Sequence, residues 1–164
     1  MIASVSTMTL LDAHAAFEDA RLSGDRSFER SAWIGFSVRG DGPSPLLGVR
    51  SRPSLLVAMT DQGHDRFELE RVVGFDPPYP SLPATRAIVR FARRLRDCER
   101  AWDLCVHCHA GIWRSGAVAE WLVSTGVPES AMSHRRSVRC ESEPLPYNQT
   151  IFSLLKMADA EALL

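Results

Sequence analysis

The chain has 164 residues, the size of one domain of about 100–200 residues, and 45% of them are apolar. That content supplies a buried core and excludes global disorder. Nineteen lysines and arginines meet twenty acidic residues for a net charge of −1, a balance that gives no support to general nucleic-acid binding.

The N-terminal stretch MIASVSTMTLLDAH has no basic flank before its apolar residues and soon reaches Asp12 and His14. It does not read as a secretory signal, and no run of about 18 apolar residues is present to span a membrane. A cytoplasmic location is the expectation, with Cys98, Cys105, Cys108 and Cys140 kept reduced. The spacing of Thr9 and Asp12, followed by the beat of Leu10, Ala13, Phe17 and Ala20, predicts a helix over 9–22. Strands are predicted at 32–38, 55–59 and 69–75, with a glycine- and proline-bearing loop at 39–45.

The segment DPPYPSLP, 76–83, forbids a regular helix or central strand until about Ser81. Ser81 can cap the next helix, and Pro83 is tolerated in its first turn. Ala84, Ala87, Ile88, Phe91, Ala92 and Leu95 then recur at helical spacing, and Arg86, Arg90, Arg93, Arg94, Arg96 and Arg100 read as its solvated face. A buried strand is predicted at 104–107. A helix over 115–124 follows, with Val118, Trp121 and Leu122 inward and Gly126 and Pro128 closing it. The stretch HRRSVR, 134–139, reads as a basic loop, and the last helix, 149–162, starts at the cap Asn148. The alternation predicts an α/β fold: one domain over 1–164, a mostly parallel central sheet, and helices on both of its faces.

The segment VHCHAGIWRSG, 106–116, runs strand, cysteine, five residues, arginine, helix. A thiolate is the reactive form of cysteine, and the N–H groups and dipole at a helix start favour negative charge. The same groups suit a phosphate dianion, and five residues between Cys108 and Arg114 are enough to wrap amides around three phosphate oxygens. Gly111 permits a backbone conformation that side chains hinder, and Ala110 adds little bulk. Arg114 offers a planar fork that binds two oxygens and follows them as the group flattens in transit. Sulfur below and oxygens held sideways suit in-line attack.

With His107, Cys108, Ala110, Gly111, Arg114, Ser115 and Gly116 in register, the segment resembles the signature of the protein-tyrosine-phosphatase superfamily, in particular its compact dual-specificity-like members. The resemblance implies a metal-independent phosphomonoesterase with no cofactor. Residues His109, Ala110, Gly111, Ile112, Trp113 and Arg114 would form its phosphate-binding loop. It also implies that His107 supports the loop and tunes the thiol, and that Ser115 assists breakdown of a phosphocysteine intermediate. The general acid implied is an aspartate roughly thirty residues before the cysteine. Asp76 stands 32 residues before Cys108, at the end of RVVGF and ahead of the proline loop; Asp61 and Asp65 are its competitors. The expected partner is a phosphorylated protein or peptide, with neither nucleic acid nor membrane implied.

Trp113 departs from the small polar residue usual in that branch and leaves two readings open, an aromatic wall for a substrate ring or a narrowed approach to the loop. Two other functions compete with a protein phosphatase: a catalytically weak phosphate- or phosphopeptide-binding module, and a phosphatase of non-protein substrates. The loop interior lacks the lysines of phosphoinositide-directed branches. The C-x-x-C formed by Cys105 and Cys108 is a poor zinc site without a second matched pair, and Cys105 reads as a packing residue. Trp33, Trp102 and Trp121 read as core or semi-buried packing residues rather than binding platforms.

Overall fold

Apolar residues at helical spacing after the proline segment, and the short apolar run before Cys108, take the forms that their periods dictate. The computed structural model describes residues 1–23, 29–37, 44–46, 52–59, 80–135 and 147–163. Among them stand β1 (Ile2–Thr9), α1 (Leu10–Ser23), β2 (Ser31–Ser37), β3 (Ser54–Ala58), α2 (Leu82–Asp97), β4 (Trp102–Cys108), α3 (Trp113–Ser124), β5 (Met132–Arg135) and α4 (Gln149–Glu161). The five strands form one all-parallel sheet in the order β3-β2-β4-β1-β5. The strand expected over 69–75 lies outside the described residues, together with Asp61, Asp65 and Asp76.

β1 is an addition to the predicted elements. Its sequence, IASVSTMT, mixes small hydroxyl residues with apolar ones and hides the period, yet it sits inside the sheet between β4 and β5. The hydroxyls are satisfied sideways: Ser4 Oγ donates to Asp103 Oδ1 at 2.6 Å, and Ser6 Oγ lies 2.8 Å from Ser133 Oγ. β5 corrects a second expectation. His134 and Arg135 belong to a strand paired with Thr7 and Met8, so the basic stretch begins as sheet rather than loop.

Side-chain alternation sorts the strand residues into two clusters. Trp33 packs with Met8, Ala13 and Leu46, and Ala16, Phe17 and Cys105 close around them. The alternate residues of β2, Ala32, Ile34 and Phe36, join Leu104, Val106, Cys108 and the buried residues of α2, α3 and α4. Trp33, Trp102 and Trp121 are all buried. Cys105 and Cys108, three residues apart on one strand, fall in different clusters and face opposite ways.

The helix ends follow local chemistry. At α1 the box predicted from Thr9 and Asp12 forms: Asp12 N donates to Thr9 Oγ1 at 3.0 Å, and Thr9 Oγ1 to Asp12 Oδ2 at 2.7 Å. At α4, Asn148 Oδ1 accepts from Ile151 N at 3.0 Å. Ser81 occupies the cap position of α2, but its side chain makes no capping bond. Pro83 narrows the choice of donor. A cap side chain accepts from the second or third helical N–H, and the proline removes one of the two. The arginine run of α2 is only partly a solvated face. Arg93 donates to Asp159 Oδ1 and to the carbonyls of Asp159 and Ala162, tying α2 to the last turn of α4, and Arg96 holds Thr125 after α3.

Strand order decides where a ligand fits. From β1 the chain crosses to β2 on one side, and from β4 it crosses to β5 on the other. The two connections leave the carboxyl ends of neighbouring strands in opposite directions along the sheet, the position where open parallel sheets bind ligands. Thr9 and Cys108 are the facing residues there.

Candidate functional site

β4 ends at Cys108 because Gly111 and the bends around it stop the strand; α3 starts five residues later at Trp113. Gly111 has φ +68°, in the left-handed region, and a Cβ there would stand 2.6 Å from the Met8 carbonyl carbon and 2.7 Å from Thr9 N. Only glycine satisfies both the dihedral and the closeness of β1. His109 O accepts from Leu10 N at 3.2 Å, fastening the turn to the start of α1. Gly116 N donates to Ile112 O at 2.9 Å as the first rung of α3. The amides of 113–115 therefore lie ahead of the helical ladder, on the side of the turn.

Inside this turn Cys108 is buried at 1% exposure, and its Sγ lies 3.4 Å from Ser115 Oγ. Arg114 is also buried, and its Nη1 donates to the Met59 carbonyl at 2.9 Å, so the end of β3 fixes the guanidinium. His109 and Ala110 are exposed, Gly111 is buried and Ile112 is half-buried. Trp113 is 46% exposed on the first turn of α3, and its carbonyl accepts from Asn148 N at 3.0 Å. Its ring thus stands at the surface.

His107 is fully buried on the opposite side of β4 from Cys108. Its Nε2 lies 3.3 Å from Ser44 Oγ, and Nδ1 has no hydrogen-bond partner among the described residues. Burial, followed by the positive charges of His14 and Arg114, pushes its pKa down to about 4. The ring is therefore neutral at physiological pH.

The structure brings together Cys108, Arg114, Ser115, His107 and the turn 109–113 at the carboxyl edge of β4. Asp76, with its competitors Asp61 and Asp65, lies outside the described residues. Sequence reasoning missed three contributors. Met59 acts through its carbonyl, which no side-chain pattern reveals. Ser44 and Gly35 touch His107 from elsewhere in the chain, and the only signal for them was a glycine within a strand and a serine in a loop. Among the described residues no group of three or more His, Cys, Asp or Glu converges as a metal site. No helix among them is long and apolar enough to cross a membrane. Comparison with protein-family models, curated proteins and solved structures gave no match.

Proposed function

We propose that the chain is a metal-independent phosphomonoesterase, a tyrosine or dual-specificity protein phosphatase that works through a phosphocysteine at Cys108. What carries the reading is one juxtaposition: a buried cysteine at the end of a central strand, 3.4 Å from Ser115 Oγ, with Arg114 buried beside them at a helix start. A protein-tyrosine-phosphatase-like architecture, with helices on both faces of the sheet, is part of the proposal. The opposite facing of the two side-chain clusters supports it.

In the first step the Cys108 thiolate attacks phosphorus, the bond from phosphorus to the leaving oxygen breaks, and that oxygen takes the proton of Asp76. The amides of the turn and the Arg114 fork hold the three equatorial oxygens as charge spreads over them. In the second step a water attacks phosphorus, the Asp76 carboxylate takes its proton, and the sulfur–phosphorus bond breaks. Ser115 hydrogen-bonds the departing sulfur. The exposed Trp113 ring suits contact with the aromatic ring of a phosphotyrosine, and a phosphorylated protein in the cytoplasm is the substrate proposed.

Acid quench of a steady-state reaction followed by peptide mass spectrometry is expected to place the phosphoryl group on Cys108. Phosphate on another residue, or none during rapid turnover, would remove the covalent mechanism. For the acid, Asp76→Asn is expected to lose about 10²-fold or more in kcat on an alkyl or phenyl phosphate, and much less on p-nitrophenyl phosphate. The same pattern in Asp61→Asn or Asp65→Asn instead would transfer the role.

A further inference from the structure

Ser44 is 4% exposed, a buried hydroxyl in a short stretch between β2 and β3. Its Oγ accepts from Leu46 N at 3.2 Å, and its second contact is His107 Nε2 at 3.3 Å. The other wall of the same space is Gly35, where a Cβ would stand 2.5 Å from His107 Nε2 and 2.8 Å from Leu46 Cδ1. The imidazole is thus clamped between a backbone with no side chain and one hydroxyl, immediately before Cys108 in the chain. One lone pair of Ser44 Oγ is taken by the Leu46 amide, and the hydroxyl proton can still be given to the ring nitrogen that faces it.

We infer that Ser44 is a positioning residue for Cys108, acting through His107: it donates to Nε2, sets the ring proton on Nδ1, and fixes the plane from which β4 delivers the thiol. This rests on the reading of Cys108 as the nucleophile. A His107 ring released from Ser44 would no longer brace the end of β4, and the sulfur would leave the line of attack while the phosphate-holding amides and Arg114 stay in place. Ser44 therefore acts on the chemical step rather than on substrate binding.

The test has two arms. In the wild-type protein, nitrogen-15 NMR of the histidines is expected to show His107 with a protonated Nδ1 and a bare, hydrogen-bonded Nε2. A protonated Nε2 would overturn the inference, whether or not any variant folds. In steady-state assays on p-nitrophenyl phosphate, Ser44→Ala is expected to lower kcat about tenfold, the size of one hydrogen bond, at unchanged KM. Ser44→Thr, which keeps the hydroxyl, is expected to recover most of the rate. Wild-type kcat in folded Ser44→Ala, with turnover still abolished by Cys108→Ser, would sink the role of Ser44 alone. Turnover that survives Cys108→Ser would overturn the phosphatase mechanism and this inference together.

Discussion

Gly111 and His107 set the chemistry of the turn by opposite means, one by having no side chain and the other by burying a polar one. Replacing Gly111 with alanine forces a Cβ into the backbone of Met8 and Thr9 at φ +68°. Gly111→Ala is expected to cost at least about 1–3 kcal/mol in urea unfolding and to abolish turnover. A folded, fully active variant would show that the turn does not need this conformation. For His107 the sign of the pH effect follows from its depressed pKa of about 4. An unfolded histidine titrates near pH 6.5, so the unfolded chain takes up the proton first as pH falls. Stability from this group is intact above about pH 6.5 and is lost toward pH 4, by roughly 3 kcal/mol in total. Urea titrations across that window are expected to fall more steeply for wild type than for His107→Asn, and parallel curves would contradict it.

Among the elements, the last helix carries its own tests. Asn148 caps α4 through Ile151 N, and its backbone N–H reaches the Trp113 carbonyl at the start of α3. Asn148→Ala is expected to cost about 1 kcal/mol and lower Tm by about 2–4 °C while the backbone bond to Trp113 survives. An unchanged melting curve would show that the cap adds nothing. Elements with a strong period were legible from the residues alone: α1 with its box, α2 after the prolines, β4 before Cys108, and α4 after Asn148. β1 was not, because its serines Ser4 and Ser6 find their partners in Asp103 and Ser133 across the sheet. Side-chain type alone gives no sign of such lateral bonds. Likewise Arg93 and Arg96 read as surface charge until α4 and Thr125 are placed against them.

At the scale of the whole molecule, strand order does what no local motif can. The motif in 106–116 identified Cys108, Arg114 and Ser115 as candidates, but only the order β3-β2-β4-β1-β5 puts Cys108 where the chain leaves neighbouring strands in opposite directions. The same order brings Met59, the residue after β3, to Arg114, and Ser44 to His107, across sequence separations of 55 and 63 residues. Contacts of that range have no signature in a single sequence. All of them bear on one sulfur atom. The direct test is phosphate release from p-nitrophenyl phosphate and a phosphotyrosine peptide, in chelator, by wild type and Cys108→Ser. Turnover by wild type that vanishes in a folded Cys108→Ser is the expected result. Equal turnover in both, or vanadate binding by a folded wild type that releases no phosphate, would contradict a cysteine phosphatase.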